Sequence, residues 1–392
     1  MPNCGTMPFI KKGEFMIKKI SAILVSAALI LSMTACGNKT NEGSAADFTE
    51  EPSAHVTVEG TKFMVDGKEL WINGTNTPWE KWNDFGGDMD EAFWDKTFEQ
   101  LAADNINCTR IWINCNGERA IRLKSTGEIK EITEEHWTDL DKLFAIAEKH
   151  KVYIMATLLS FDHFKEPKNS FPKWRNLVTN KEYTDAFAET YVKQFCEHYG
   201  SNEYLFSIDI MNEPDWVKEK EECGKIGFEY LSYFFGKCAS VIHQNSDTLV
   251  TVGMGMIKYN SDKFEGNFVS DEYLKELTGL DDAYLDFYSP HYYAWMLPSF
   301  PHPFDKSPEE FGLGTDKPCI IGETPNDDDE KMKMTAAEKY ENCYNNGWNG
   351  VMTWMDPHKN ENDEYEYYKY DLTAAASNRM NEIAPEKIHP LG

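Results

Sequence analysis

"FSIDIMNEPDW", Phe206 to Trp216, decides the fold. Five of its first six residues suit a strand, and the run breaks off at Asn212-Glu213-Pro214, an amide beside a carboxyl. A strand exposed on one face alternates apolar and polar residues, whereas one buried on both faces reads as a near-continuous apolar run. The stretch is of the second kind, and it delivers a carboxyl group at its very end.

Working outward, the same kind of run recurs seven more times: "ELWINGTN" (69–76), "CTRIWIN" (108–114), "VYIMATLL" (152–159), "TLVTVGM" (248–254), "YLDFYSPHY" (284–292), "CIIGE" (319–323) and "GVMTW" (350–354). Helical patterns lie between them, at 90–103, 134–150, 182–199, 227–244, 272–277, 308–311 and 336–345, with a last one at 372–383. Strand–helix alternation predicts parallel βαβ units, hence an α/β protein. Eight such units predict a closed (β/α)8 TIM barrel. The rival, an open doubly wound sheet, usually carries a glycine-rich phosphate loop, and neither GxGxxG nor GxxxxGK[ST] occurs. Before the first unit, "VTVEGTKFMVDGKELW" alternates around Asp66-Gly67 and predicts a short N-terminal β-hairpin that plugs the barrel floor.

In such a barrel the C-terminal strand ends form the active face. Those ends carry Asn76, Arg110 and Asn114, Asp162-His163, Asn212-Glu213, His291-Tyr292-Tyr293, Glu323, and Trp354 followed by Asp356 and His358. Trp79, Trp82 and Trp295 lie just beyond strand ends. Glu213 and Glu323 leave strands four and seven, which face each other across the mouth. Two carboxyls over an aromatic-lined cleft suit glycoside hydrolysis, in which one group must be protonated and the other ionised. An ion pair with Arg110 would keep Glu323 charged.

"MNEP" after strand four, "HYY" after strand six, "IGE" after strand seven and "TW" in strand eight, in this order, resemble the clan A glycoside hydrolases, specifically family 5. The resemblance spans Val58 to the C-terminus. It implies a retaining enzyme with Glu213 as acid/base and Glu323 as nucleophile. It implies that Asn212 holds the sugar 2-hydroxyl, that Arg110 and Tyr293 hydrogen-bond the nucleophile, that His291 lines the reacting subsite and that Trp354 is its floor. It implies no metal or organic cofactor. Trp79 and Trp295 are expected as sugar platforms. The family often has a histidine near the end of strand three; "SFDHF" offers both Asp162 and His163. "GTKFMVDGKELWINGTN" looks like the start of family 5 mannanases, so β-1,4-mannan is favoured over cellulose-type glucan as the polysaccharide substrate. The alternative is a non-catalytic carbohydrate-binding lipoprotein, which needs aromatic platforms but no carboxyl pair.

The chain of 392 residues also carries a targeting pattern. Met16-Ile17-Lys18-Lys19 precedes an apolar run from Ile20 to Met33, too short for an ordinary membrane span. The run ends "MTACG", which resembles a bacterial lipobox and implies lipidation of Cys36. The expected organisation is a signal segment (1–36), a flexible polar linker (37–53) and a catalytic domain (54–392), giving an extracellular cell-surface lipoprotein and a monomer. The formal net charge of −27, with no basic stripe, excludes nucleic acid as a natural partner. The cysteines beyond Cys36 show no CxxC and no zinc spacing, and read as buried thiols. "NDDDE" (326–330) lacks a full calcium-ligand pattern. "NENDEYEYYKY" (360–370) reads as a solvated loop after strand eight, with contact between its tyrosines and a long glycan as the lesser alternative. His163 and His358 read as structural rather than catalytic.

Overall fold

The computed structural model describes residues 53–115, 117, 119–165, 172–327, 330–359, 365–369 and 371–392. The signal segment, all but the last residue of the linker, Cys36, and parts of the two acidic stretches (328–329, and 360–364 with 370) lie outside the described residues.

The eight apolar runs form one parallel sheet. Its strands are β1 (Ile72–Asn76), β2 (Cys108–Trp112), β3 (Tyr153–Ser160), β4 (Leu205–Asn212), β5 (Leu249–Met254), β6 (Ser289–Pro290), β7 (Ile320–Pro325) and β8 (Gly350–Trp354). Their order is β6-β5-β4-β3-β2-β1-β8-β7, and every ladder is parallel. Two further parallel bridges, Tyr288 with Cys319 and His291 with Glu323, close the ring between β6 and β7. The expected (β/α)8 barrel is therefore the fold. Strand six is the weak stave: of "YLDFYSPHY" only Ser289–Pro290 is in a regular strand, the rest being held by single backbone bonds such as Asp286 N to Val250 O at 2.9 Å.

The helices wrap the outside. Glu91–Ala103 starts at Asp90, whose carboxylate accepts from the N–H of Ala92 and Phe93 at 3.1 Å. Glu134–His150 buries Trp137, Leu140, Leu143, Phe144 and Ile146 along one stripe. The single helix expected at 182–199 carries a π-helical turn at Ala188–Val192, between α-helical Lys181–Phe187 and Lys193–Tyr199. Sequence periodicity does not see one extra residue per turn. Among the described residues no helix is long and apolar enough to cross a membrane.

The N-terminal hairpin is larger than expected. Val56–Glu59, Lys62–Val65 and Lys68–Leu70 make a three-stranded antiparallel sheet. "ELWINGTN" is thus divided: Leu70 ends this sheet and Ile72 begins β1. Asp66 (φ 47°) and Gly67 (φ 72°) make the two-residue turn with both residues left-handed, which Asp-Gly favours. The sheet plugs the barrel floor: the Phe63 ring meets Phe206 at 5.1 Å and Phe287 at 5.2 Å, both edge-on. Burying Phe63 completely stabilises the closed floor by roughly 1.5–3 kcal/mol.

Two further differences concern loops. Ile121–Leu123 and Ile129–Ile132 form an antiparallel pair after β2 that the sequence reading omits. Residues 365–369, read as part of a loop, are a strand paired with Asp356–Lys359. The seven described cysteines are free and buried, as expected.

Candidate active site

Both glutamates arrive at irregularities in their strands. The β4–β5 register slips by one residue between Asp209/Thr251 and Asn212/Gly253. The β7–β8 register slips between Ile321/Val351 and Thr324/Thr353. Such bulges re-aim side chains and concentrate beside active sites. Glu213 then leaves the sheet in a left-handed conformation (φ 48°, ψ 56°), its N–H bonded to Gly253 O at 2.7 Å. A non-glycine residue there is strained by about 1–3 kcal/mol and persists only where its surroundings over-determine it. Its carboxyl makes no capping bond to the helix that follows, so helix-end stabilisation is not its role.

The two side chains meet over the mouth. One carboxylate oxygen of Glu213, one of Glu323 and one nitrogen of His291 all lie within 4.8 Å of one another. His291 Nδ1 stands 3.1 Å from Glu213 Oε1 and 3.6 Å from Glu323 Oε2. This trio has the spacing of metal ligands. Yet the oxygens of Glu323 are already taken, Oε2 by Arg110 Nη1 at 3.1 Å and Oε1 by the Tyr293 hydroxyl.

Arg110 organises the floor of the site. It is fully buried and donates to Glu323, to Asn76 Oδ1 (3.1 Å), to Asn212 Oδ1 (2.8 Å) and, through Nε and Nη2, to Asp209 Oδ2 (3.0 and 2.6 Å). Asp209 is held in turn by Gly253 N (2.8 Å) and Thr157 Oγ1 (3.0 Å). A Cβ on Gly253 would stand 2.6 Å from Arg110 Nη2, so glycine is what lets the guanidinium cross the barrel. Asp209 and Gly253, which hold and make room for Arg110, are positions that the sequence reading passed over. A lone carboxylate inside an otherwise apolar strand was the available signal.

Burial raises both glutamate carboxyls. At Glu213 the Trp216 N–H and the Arg110 charge pull back, and the Asp162 charge pushes further up. At Glu323 burial and the Glu213 charge act upward; His291, Arg110 and the Tyr293 hydroxyl act downward. The pair shares one site of negative charge, and the guanidinium touches Glu323 directly, so the proton belongs on Glu213. Burial lowers His291 to about 4, so it is a neutral imidazole near neutral pH. Burial and the Glu323 charge raise the Tyr293 phenol, so it stays a donor.

Of the pair after β3, Asp162 is the residue whose charge reaches Glu213. His163 is buried, folds back on Ser160 and packs edge-on against Trp174 at 4.6 Å. The Asp162 side chain is partly exposed and accepts from Ser160 Oγ at 2.8 Å.

The aromatics form two groups. Trp79, Trp112 and Trp354 pack edge to face with centroids 5.4–6.0 Å apart, and Trp82 adds to Trp79 at 4.8 Å. Trp112, missed in the sequence, also lies under the Arg110 guanidinium at 4.3 Å. On the opposite arc Trp295, half exposed, pairs with Trp216 at 5.7 Å, and Trp216 Nε1 donates to Glu213 Oε2 at 2.8 Å. None of Trp79, Trp82, Trp216 and Trp295 is core. All the predicted site residues except Cys36 are thus assembled at one barrel end. The side chains of Asp356 and His358 lie outside the described residues.

No protein-family model matches the chain. It is 23% identical over 328 residues to the mannan endo-1,4-beta-mannosidase of Mytilus edulis, covering 77% of this chain and 88% of that protein. The structure of the beta-1,4-mannanase from Aplysia kurodai superposes with a TM-score of 0.73 at 21% identity, covering 84% of this chain and 97% of the other. A glycoside hydrolase family 5 mannosidase from Rhizomucor miehei superposes at 0.51 with 15% identity, over 85% of this chain and 99% of the other. These likenesses bear out the barrel read from the strand–helix alternation, and the chain is similar over most of its length to proteins named as endo-mannanases.

Proposed function

We propose that this protein is a retaining endo-β-1,4-mannanase. The observation that carries the mechanism is the approach of the Glu213 and Glu323 oxygens to within 4.8 Å. Carboxyls about 5–5.5 Å apart suit a covalent intermediate, whereas inverting enzymes keep about 6.5–9.5 Å for a water. Glu323, ionised beside Arg110, attacks the anomeric carbon. Glu213 gives its proton to the leaving oxygen, then takes one from water as the glycosyl-enzyme hydrolyses. Asn212, held through Oδ1 by Arg110, offers its amide N–H to the sugar 2-hydroxyl. Trp354 and Trp79 on one arc and Trp295 on the other give faces for sugar rings. The Mytilus relative and the Aplysia structure both carry names that specify mannan, which supports that substrate over cellulose-type glucan.

The test compares wild type, Glu213→Gln and Glu323→Ala on mannan and carboxymethyl cellulose. Reducing sugar should appear from mannan with wild type only, and NMR of the first product should show the β-anomer. Product of inverted configuration overturns the two-glutamate mechanism. Binding without hydrolysis by all three proteins would favour a carbohydrate-capturing lipoprotein instead.

The same proposal puts the enzyme outside the cell on a lipid anchor at Cys36, on the strength of the basic start, apolar run and lipobox-like cysteine. Labelled palmitate should enter wild type and not Cys36→Ala; equal labelling removes the anchor from the proposal.

A further inference from the structure

Asp215 is fully buried two residues after Glu213, and none of the chemistry above uses it. It lies in the short helix Pro214–Glu219, yet its carboxylate points back to the end of β5. Oδ2 accepts from Gly255 N at 2.7 Å and Oδ1 from Met256 N at 3.1 Å. Gly255 is thereby laid against Glu213: a Cβ built on it would stand 3.3 Å from Glu213 Cβ, from Glu213 Cγ and from Asp215 Oδ2. The Glu213 N–H is meanwhile fixed to Gly253 O. The left-handed turn at Glu213 is therefore held on both sides by one strand end: by a backbone bond before it and by the Asp215 carboxylate after it. Beyond that anchor, Trp216 turns its indole N–H onto Glu213 Oε2.

We infer that Asp215 is a positioning residue for the acid/base: by tying the Pro214–Glu219 turn to the N–H groups of Gly255 and Met256, it holds the strained Glu213 backbone and the carboxyl it carries. This inference rests on Glu213 being the proton donor. Two facts separate it from ordinary packing. Asp215 touches neither Glu323 nor Arg110 among the described contacts, so its loss should spare the nucleophile. Displacing a catalytic group by about 1 Å costs on the order of 100-fold, which a small relaxation of this turn reaches.

The experiment uses leaving groups. Mannan needs a proton on its leaving oxygen, whereas a 2,4-dinitrophenyl β-mannobioside departs without one, so only the first depends on the donor in the glycosylation step. Asp215→Asn keeps one of the two acceptors and Asp215→Ala keeps none. Expected losses in kcat/KM on mannan are roughly 10-fold and 100-fold respectively. On the dinitrophenyl substrate kcat/KM should stay within about 3-fold of wild type. Azide should raise kcat of the variants on that substrate and yield a β-mannosyl azide, since a mispositioned base leaves the glycosyl-enzyme waiting. Equal losses on both substrates, or no azide effect, overturn the inference.

If the Asp215 variants do not fold, by near-ultraviolet dichroism, Gly255→Ala decides. Its new methyl presses on the Glu213 stem and on the Asp215 carboxylate together and should give the same split between substrates. A Gly255→Ala enzyme that matches wild type on both, or loses both equally, overturns the inference. Failure of the underlying reading shows differently: wild type itself then releases neither dinitrophenol nor reducing sugar.

Discussion

The two glutamates at the mouth are the same side chain in opposite settings. Glu323 is reached through a bulge in β7, and its carboxylate is gripped by a guanidinium and a phenol. Glu213 is reached through a left-handed residue after β4, and its carboxyl meets an indole N–H and a neutral imidazole. Burial raises both, so burial does not distinguish them. The direct cation does. One arc of the barrel is built to keep a charge, and the other to keep a proton.

The harshest way to break this contrast is to delete the charged partner. Glu323→Ala should lower kcat on mannan by about 10⁴-fold or more, the scale seen when one member of a catalytic unit is removed. Azide added to that variant should yield the α-mannosyl azide from an activated β-mannoside, because the small anion enters from the vacated face. A β-azide would place the nucleophile elsewhere. Glu213→Ala should cost about 10²–10⁴-fold on mannan and far less on the dinitrophenyl mannobioside.

Removing the cation tests the contrast next. Arg110→Met leaves Asp209 and Glu323 buried without their countercharge. Uncompensated buried charges of this kind cost about 3–5 kcal/mol, measurable by urea unfolding. Activity should fall with it, since Glu323 then holds its proton more tightly. The acid limb of kcat/KM should move to higher pH. A variant with wild-type stability and an unmoved acid limb shows that Arg110 is not what keeps Glu323 ionised.

Most of the fold was legible because burial on both faces leaves a direct mark. Eight apolar runs, spaced by amphipathic segments, admit few other architectures. The glutamates were legible because each ended such a run. What was illegible was local and geometric. Nothing in "YLDFYSPHY" except Pro290 warns that strand six shrinks to two residues. Nothing in "AETYV" shows the π-turn that places Tyr191, whose hydroxyl sits between Asn114 Nδ2 (2.6 Å) and His136 Nε2 (3.1 Å). The role of Gly253 depends on an arginine 143 positions earlier in the chain crossing the barrel above it. Asp162 and His163 are adjacent, and only the tight turn after β3 folds His163 back on Ser160 while the Asp162 charge reaches Glu213.

A gentler change sharpens the contrast at the proton-holding arc. The Trp216 N–H draws the Glu213 carboxyl downward against burial. Trp216→Phe keeps the ring beside Trp295 and removes one hydrogen bond, worth about 1 kcal/mol or roughly fivefold in rate. In the proposed mechanism Glu213 must be protonated to act, and its ionisation forms the basic limb of kcat/KM. Losing the N–H therefore moves that limb to higher pH. Movement to lower pH would mean that the indole does not stabilise the carboxylate.

The smallest expected effect compares two histidines beside carboxylates, one inside the mouth and one outside the barrel. Burial lowers His291 to about 4. A depressed histidine opposes folding as pH falls below the unfolded value of about 6.5, until it too is protonated. His243 is also pulled down by burial, but Asp286 Oδ2 at 3.1 Å and the Asp282 carbonyl at 2.9 Å outweigh it, and its net shift is upward. A raised histidine stabilises most fully below about 6.5, and that stability drains as pH climbs through the folded value. His243→Phe retains the ring that stacks on Tyr284 at 4.1 Å and removes the titration. The stability difference between wild type and this variant should be about 0.5–1 kcal/mol at pH 5.5 and shrink by pH 8.5. A difference that is flat over that range, or that grows with pH, shows that Asp286 does not hold a charge on His243. The upward shift seen outside would then be no measure of what burial takes away inside.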